Sequence, residues 1–359
     1  MPDARAPGGM TPRRVLLRAP NPLGDAVMAE PAMRAIAALF PDAAVDVALP
    51  AANAALASCW GFAAAIVALR RGPGDIARLR QGGYDLCALF PNSLSSAVIA
   101  RAAGIARIVG YARDARGVLL TERIAPPREP RALHMLAYYW RIAAALGAAE
   151  LPGAACVAAS PRDAAAIFAG DPRTAPSLAP GAAIAEAGRR VLAAHGLAPG
   201  VVVLAPGAAY GPAKQWPVAH YAQLAAILKA EGRQVAVVGT QAERTLGSAI
   251  DAVNLAGVTD LASLIGVMSQ AGAFVGNDSG VAHIAGALKL AGVVIYGSTS
   301  DAHSGQIGEA LRIVHLRLEC SPCFARECPL GHLRCLKEIA PAMVRAALAA
   351  AMTARAAVS

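Results

Sequence analysis

The chain has 359 residues, a length that exceeds one ordinary domain and fits two α/β domains. Its formal charge of +9 is compatible with an acidic substrate, an anionic membrane surface or nucleic acid. Few aromatic residues accompany the basic ones, which disfavours nucleic acid binding. Neither a signal-peptide pattern nor a stretch of roughly 18–20 apolar residues that could span a bilayer is found. We therefore expect a cytoplasmic protein whose contact with the inner membrane face is at most peripheral.

Short β-branched runs alternate with helical patterns along most of the chain. Strands are predicted in the first half at 15–18, 45–49, 65–69, 85–90 and 107–110, with helices at 26–39 and 94–103. Strands are predicted in the second half at 201–205, 234–239, 273–276, 292–296 and 312–316, with helices at 218–231, 261–271, 281–288 and 341–357. This alternation is typical of parallel sheets that helices cover on both faces.

A segment rich in Ala, Pro and Gly, 160–199, interrupts the alternation and contains a helical piece near 186–195. We interpret it as the connection between two Rossmann-like domains, residues 1–185 and 186–359. Open parallel sheets bind ligands beyond the carboxyl ends of their strands. Two such domains facing a central cleft would therefore place the chemistry in loops that directly follow strands, and three loops qualify.

The first loop runs from Asn21 to Asp25 after the first strand. Gly24 permits a tight turn, and Asp25 stands at the start of the next helix. A helix N-cap is one interpretation of Asp25. A general base is the other, because a carboxylate at the floor of the cleft can accept a proton from an attacking hydroxyl.

The second loop, 206–217, follows the first strand of the second half and contains glycines, Lys214 and Trp216. A cation between a glycine-containing loop and a helix is well placed to face phosphate. A solvated surface lysine, with Trp216 packing at the helix entry, is the alternative.

The third loop, 276–283, lies at a strand-to-helix turn and contains Asp278, Ser279, Gly280 and His283. Backbone N–H groups at that helix N-terminus would point at a diphosphate. The alternative is that Asp278 or Ser279 caps the helix and that His283 is a half-buried polar residue. The chain has no Asp-x-Asp pair, no Gly-x-Gly-x-x-Gly after a strand and no Gly-x-Ser-x-Gly, which disfavours a metal-diphosphate site, a dehydrogenase and a hydrolase elbow.

The three loops, in this order, resemble glycosyltransferase family 9, the ADP-heptose:lipopolysaccharide heptosyltransferases. The matching segments are RAPNPLGDAVMAEP from residue 18, FPNSLSSAVIARAAGIARIVGYARDARGVLLT from residue 90, APGAAYGPAKQWP from residue 205, LAGVTDLASLIGVMSQA from residue 255 and GNDSGVAHIAGAL from residue 276. The form AYGPAKQWP and the terminal CSPCFARECPLGHLRC are similar to the heptosyltransferase II branch. A proline common in the family is missing from residues 301–308.

This resemblance implies a GT-B fold, an inverting transfer and no catalytic metal. The donor would be ADP-L-glycero-β-D-manno-heptose and the acceptor an anionic heptosyl-Kdo-lipid A core. The general base matches Asp25, and the acceptor-side candidates are Arg113 and Arg116, for which surface solvation is the alternative. The donor-site residues implied are Lys214, Glu243, Asp278, Ser279, Gly280 and His283.

Four cysteines fall within 16 residues: Cys320, Cys323, Cys328 and Cys335. They are enough for a tetrahedral structural zinc, and an iron–sulfur cluster or reduced thiols are the alternatives. Cys59, Cys87 and Cys156 lie in or beside apolar segments and are predicted to be core residues.

Two other functions remain open at this point. One is a transferase of the same fold that uses another nucleotide sugar. The other is a non-catalytic protein that binds a nucleotide sugar.

Overall fold

The computed structural model describes residues 11–129, 131, 133–150, 173–307 and 310–357. The chain divides into two compact units. Unit 1 comprises Met1–Ser160 with Gly170–Pro176, and unit 2 comprises Pro161–Ala169 with Ser177–Ser359. The predicted connection therefore contributes to both units, and the helix Ala182–Ala194 belongs wholly to unit 2.

Unit 1 is an α/β layer structure. Its strands are β1 (Arg14–Arg18), β2 (Ala44–Pro50), β3 (Ala65–Leu69), β4 (Leu86–Leu89), β5 (Arg107–Tyr111) and β6 (Glu122–Ile124). Its helices are α1 (Leu23–Leu39), α2 (Ala54–Ala57), α3 (Gly74–Gln81), α4 (Leu94–Ala102) and α5 (Met135–Ala145). The strands form one parallel sheet in the order β3-β2-β1-β4-β5-β6. Every side chain of the central β4 is buried, as expected for a parallel strand with helices on both faces.

Unit 2 repeats this architecture. Its strands are β7 (Val202–Ala205), β8 (Val235–Val237), β9 (Val253–Asn254), β10 (Ala273–Asn277), β11 (Gly292–Ile295) and β12 (Leu311–Val314). Its helices are α6 (Ala182–Ala194), α7 (Val218–Ala230), α8 (Arg244–Ser248), α9 (Leu261–Ser269), α10 (Gly280–Ala287), α11 (Asp301–Ser304), α12 (Arg334–Lys337) and α13 (Pro341–Ala356). The parallel sheet has the order β12-β11-β10-β7-β8-β9.

All ten predicted strands are present, with ends that differ from the prediction by at most two residues. The edge strands β6 and β9 were not predicted. They have only three and two residues, too few to show a hydrophobic period. Cys59 and Cys87 are buried as predicted, whereas Cys156 lies outside the described residues.

In each sheet the strand order reverses between the first and fourth strands of the unit. These positions are β1 beside β4 in unit 1 and β7 beside β10 in unit 2. At such a switch point the two following loops diverge to opposite faces and leave a crevice for a ligand. The three loops singled out by sequence follow β1, β7 and β10. Within the described ranges, no helix combines the length and apolarity needed to cross a bilayer.

Candidate active site

The switch point of unit 2 brings Lys214 and Asp278 together. Ala205 and Gly276 are paired at the ends of β7 and β10, so the loops that follow these strands start side by side. The Lys214 Nζ lies 2.5 Å from Asp278 Oδ2, and only 14% of the lysine side chain and 4% of the aspartate side chain are exposed. Lys214 is therefore not a solvated surface lysine. Its ammonium also lies 5.0 Å from the centre of the Tyr210 ring.

The ion pair decides the protonation state of Asp278. Burial alone would raise the pKa of this carboxyl group, but the Lys214 ammonium, with smaller contributions from His283 and the Thr299 hydroxyl, holds the pKa below its ordinary value. Thr299 Oγ1 donates to Asp278 Oδ2 at 2.8 Å, and Gln306 Nε2 donates to Oδ1 at 3.3 Å. The site thus holds an ionised carboxylate whose two oxygens are both occupied, beside a fixed ammonium.

Ser279 and Gly280 form the start of α10 next to this pair. Ser279 is the N-cap residue, yet its side chain makes no cap hydrogen bond, and its buried Oγ has no partner among the described residues. A buried hydroxyl without a partner is unfavourable unless a ligand satisfies it. The hydroxyl and the first N–H groups of α10 together suit an anion such as phosphate.

His283 lies in the first turns of α10 and is 6% exposed. Burial lowers its pKa to about 4; the Asp278 charge acts in the opposite direction without overcoming burial. The ring is therefore neutral at physiological pH. Its Nε2 lies 3.3 Å from Gln306 Nε2.

Glu243 lies against the loop that carries Lys214. Its Oε2 accepts hydrogen bonds from the backbone N–H and the hydroxyl of Thr240, at 2.7 and 2.9 Å, which makes a capping box. A Cβ added at Gly207 would collide with Glu243 Oε1. Gly207 is thus required for the carboxylate to approach the loop this closely.

Asn277 orders the loop 206–217, although sequence analysis assigned it no role. Its side chain is fully buried: Nδ2 donates to Pro206 O at 2.7 Å, and Oδ1 accepts from Trp216 N and Tyr221 Oη, both at 3.0 Å. The amide ties both ends of the loop to β10. Thr299 and Gln306 were missed as well, because they follow β11 in a segment with no recognisable motif.

The cysteine loop, defined here as residues 320–335, supports the other side of the Lys214 loop. Tyr210 Oη donates to Phe324 O at 2.5 Å, Ala213 N donates to Arg326 O at 3.0 Å, and Arg326 Nε donates to Tyr210 O at 2.7 Å. The Arg326 guanidinium lies 5.5 Å from the centre of the Tyr210 ring. The cysteine loop is therefore part of the framework that holds Lys214.

The thiols themselves differ in environment. Cys335 is buried, Cys320 and Cys328 are half-buried, and Cys323 is exposed. Burial raises the pKa of Cys335, and the other three thiols add to the shift, so the four lie near one another. Backbone N–H groups of residues 330–333 lower the pKa of Cys328. In the part of the chain that the structure describes, however, no three His, Cys, Asp or Glu side chains are arranged to hold a metal ion.

Asp25 lies in unit 1, at the switch point of that sheet. It occupies the first turn of α1, whose N-cap residue is Pro22, so Asp25 is not the N-cap residue itself. Burial raises the pKa of Tyr139 well above its ordinary value and the charge of Asp25 contributes, which places the two side chains near each other. The preceding loop is fixed by Arg18 Nη2, 2.5 Å from Asn21 Oδ1, and by Asn53 Nδ2, 2.8 Å from Asn21 O.

The two acceptor-side candidates have different environments. Arg113 is half-buried. Arg116 is fully buried, and its Nε donates to Tyr111 O at 2.8 Å while Nη1 donates to Pro91 O. Burial lowers the pKa of Arg116. Surface solvation is therefore excluded for Arg116, whose guanidinium ties the loop after β5 to the loop after β4.

A buried lysine–carboxylate pair lies at the start of a helix, at the switch point of one of two Rossmann-like units, which is where an open α/β sheet binds a ligand and where an anionic ligand is favoured. The model of glycosyltransferase family 9 (heptosyltransferase) matches residues 76–334. The chain belongs to this family.

Individual relatives agree with the family assignment. Lipopolysaccharide heptosyltransferase 2 of Escherichia coli K12 is 29% identical over 332 residues, which cover 84% of this chain and 88% of the relative. Lipooligosaccharide heptosyltransferase 2 of Haemophilus ducreyi is 27% identical, with the same coverage.

A solved structure of E. coli ADP-heptose LPS heptosyltransferase II superposes with a TM-score of 0.79 at 26% identity, over 96% of this chain and 99% of the other. A family 9 structure from Veillonella parvula has a TM-score of 0.76 at 14% identity, over 95% and 97% of the two chains, and shows the fold alone. The predicted α/β class and GT-B fold are confirmed, and the chain is a glycosyltransferase.

Proposed function

We propose that the protein is an inverting heptosyltransferase. It moves heptose from ADP-L-glycero-β-D-manno-heptose to the heptosyl-Kdo-lipid A inner core of lipopolysaccharide. The observation that carries the proposal is the site at the start of α10, where the Lys214 ammonium, the free Ser279 hydroxyl and helix N–H groups converge in a family 9 chain. An ADP-sugar presents a diphosphate, which is the anion that such a site suits.

Unit 2 binds the donor in this proposal. Charge grows on the diphosphate as it leaves the anomeric carbon, so groups fixed in advance against that charge lower the barrier. Lys214 supplies the positive charge, and the Ser279 hydroxyl and the N–H groups at Gly280 supply hydrogen bonds. Asp278 keeps the ammonium oriented. We assign Glu243, whose carboxylate lies beside Gly207 of the same loop, to a nucleoside or sugar hydroxyl of the donor. As the family resemblance implies, the proposal includes no catalytic metal, and these groups are the ones that face the growing negative charge.

Unit 1 carries the acceptor and the base. Asp25 accepts the proton of the acceptor hydroxyl as that oxygen attacks from the face opposite ADP. Arg113 contacts the anionic acceptor, and Arg116 shapes the loop that presents Arg113. The acceptor is lipid-linked, so the reaction belongs at the cytoplasmic side of the inner membrane, which the positive charge of the chain favours.

ADP release from ADP-heptose, with and without heptosyl-Kdo-lipid A, tests the function. The wild type and Asp25→Asn should differ: the variant should lose acceptor-dependent release by roughly a thousandfold and bind ADP normally. Asp42→Asn, an exposed carboxylate of unit 1, is the matched control and should behave like the wild type. Loss of ADP binding in Asp25→Asn would assign Asp25 a structural role instead.

Two other functions give different results in the same assay. A well-folded wild type that releases no ADP from ADP-heptose, but releases nucleotide from another sugar donor in a screen, is a transferase with a different donor. A wild type that binds nucleotide sugars and turns over none of them with any acceptor is a binding protein.

The structural zinc at Cys320, Cys323, Cys328 and Cys335 stays a prediction. The proximity of the four thiols and the N–H groups around Cys328 support it, and the lack of a ligand-like arrangement among the described residues opposes it. Metal analysis of protein purified without chelator or His-tag decides the point. About one zinc per chain supports the site, whereas four titratable thiols and no metal refute it.

A further inference from the structure

Gln306 connects the two buried polar residues of the donor site. Its side chain is 5% exposed and follows α11. Its Nε2 lies 3.3 Å from Asp278 Oδ1 and 3.3 Å from His283 Nε2, and its Oε1 accepts from Tyr296 Oη at 3.1 Å. Family resemblance and the comparisons assign no role to this residue.

The contact with Asp278 fixes the orientation of the Gln306 amide. An ionised carboxylate only accepts hydrogen bonds, so the group facing Asp278 Oδ1 must be the NH₂ and not the carbonyl oxygen. The Tyr296 hydroxyl lies 3.1 Å from Oε1 and 3.0 Å from Ser304 O, so its one hydrogen can be shared with Oε1, which is compatible with the same orientation. A flipped amide would set two oxygen acceptors against each other.

The fixed amide in turn decides which nitrogen of His283 carries the proton. An amide nitrogen has two hydrogens and no acceptor lone pair, so one hydrogen meets Asp278 and the other meets His283 Nε2. Nε2 must then offer a lone pair, because a proton there would set two donors face to face. The imidazole consequently carries its proton on Nδ1.

We infer that Gln306 is a positioning residue, which holds His283 as the neutral Nδ1–H tautomer and fixes the Asp278 carboxylate that orients Lys214. His283 then offers one ring N–H and no positive charge, and Lys214 is the cation that meets the leaving diphosphate. Burial of the ring favours the neutral form as well. The tautomer stands on the geometry of unit 2 alone, whereas the kinetic consequence rests on the proposed function.

The test begins with the ring nitrogens of ¹⁵N-histidine-labelled protein, with the His283 signals identified by their loss in His283→Gln. The wild type should show a pyrrole-type Nδ1 and a pyridine-type Nε2. Gln306→Glu should reverse this pattern, because a carboxyl oxygen facing Nε2 accepts a proton rather than donating one. Gln306→Met, which has a similar length and no N–H, should give a mixture of tautomers. A wild type protonated on Nε2, or variants that leave the pattern unchanged, would overturn the inference.

The kinetic readout separates positioning from a merely structural role. Gln306→Met should lower kcat roughly tenfold and change the KM for the donor less than about threefold, as expected when a hydrogen bond to a charged group is lost. Gln234→Met is the matched control: this exposed glutamine directly precedes β8, and its side chain bonds to the backbone of Ala198 and Gly196, so its kinetics and spectrum should match the wild type. An unchanged kcat in Gln306→Met would overturn the positioning role. If the wild type releases no ADP from ADP-heptose, the proposed function fails, and the histidine spectrum still decides the tautomer.

Discussion

Two Lys–Asp pairs among the described residues of unit 2 have the same separation and very different burial, which allows the strength of the Lys214–Asp278 pair to be measured. Lys214 and Asp278 are 14% and 4% exposed, and Lys229 and Asp251 are 43% and 84% exposed; both N–O distances are 2.5 Å. Replacing each lysine by methionine removes the charge and keeps most of the side-chain volume. Breaking a buried pair leaves an uncompensated charge, whereas an exposed pair contributes about 0.2–1 kcal/mol.

The stability lost in Lys214→Met depends on whether Asp278 remains ionised after its partner is removed. Without Lys214, the buried carboxylate can be neutralised by taking up a proton. Protonation costs about 1.36 kcal/mol for each unit by which the pH exceeds the ordinary carboxyl pKa of about 3.9, which amounts to roughly 4 kcal/mol at pH 7. Asp278 also keeps its bonds to Thr299 and Gln306. We therefore expect Lys214→Met to lower the free energy of unfolding by about 2–4 kcal/mol at pH 7. Lys229→Met should lower it by less than about 1 kcal/mol.

The pH dependence has a definite sign. In the wild type the pKa of Asp278 is depressed, so the stability it contributes is present above the ordinary carboxyl pKa and is lost only in stronger acid. In Lys214→Met the carboxyl group loses its neighbouring positive charge and keeps only hydrogen bonds such as those from Thr299 and Gln306 against the effect of burial, so its pKa should rise. This carboxyl group then destabilises the fold increasingly as the pH rises. Protonation of this carboxylate costs only about 1.5 kcal/mol at pH 5. The difference in unfolding free energy between the variant and the wild type should therefore become smaller from pH 7 to pH 5.

Urea unfolding at both pH values measures this difference. The two units can unfold in separate steps, so the background should carry Trp60→Phe and Trp140→Phe, which leaves Trp216 as the fluorescent reporter of unit 2. ADP titration of the folded variants provides the functional counterpart, and Lys214→Met should bind ADP at least tenfold more weakly. Equal losses of unfolding free energy in the two lysine variants would refute the reasoning. So would a difference between Lys214→Met and the wild type that becomes larger at pH 5 than at pH 7.

Two other substitutions are expected to have large effects. Gly207→Ala should weaken ADP binding and destabilise unit 2 by about 1–3 kcal/mol, because the new Cβ displaces Glu243 from the loop. ADP titration and urea unfolding measure the two effects. Gly181→Ala, where a Cβ meets nothing within 4 Å, is the control and should stay within about 0.5 kcal/mol of the wild-type stability. Arg116→Met should destabilise unit 1 by about 2–4 kcal/mol, because buried carbonyl groups including Tyr111 O lose their donor. Arg113→Met is the control and should leave the urea unfolding midpoint unchanged. Equal midpoints for the two arginine variants would contradict the structural role of Arg116.

The sequence was sufficient for the framework of the fold and for the positions of the principal loops. Runs such as Val202–Ala205 are apolar throughout, which is the pattern of a strand buried on both faces, and loops after such strands are where an open sheet binds ligands. Lys214 and Asp278 could thus be proposed separately from their loops. Their pairing could not, because it depends on the adjacency of β7 and β10, which are separated by 67 residues of sequence.

The residues that sequence reasoning missed share a physical cause. Thr299 and Gln306 are polar residues in a loop without periodicity, and only the register of β11 beside β10 brings them to Asp278. Arg116 was proposed as an acceptor-side residue, with surface solvation as the alternative, and its structural role was not foreseen. Its guanidinium is buried against Pro91 O, a carbonyl group about 25 residues earlier in the chain, which no local pattern reveals.

The repeated strand order has a consequence for how such an enzyme can diversify. The first strand of each unit is followed by the loop that carries that unit's principal candidate, Asp25 after β1 and Lys214 after β7. Two units with the same strand order thus carry residues of opposite charge in the segments that follow their first strands. On the proposed assignment, selection for a new acceptor can act on the loops of unit 1 while the strand pairings that carry the Lys214–Asp278 pair in unit 2 stay as they are. The proposed division of roles thus predicts that acceptor preference and donor preference are separable traits, which recombination between family members could exchange.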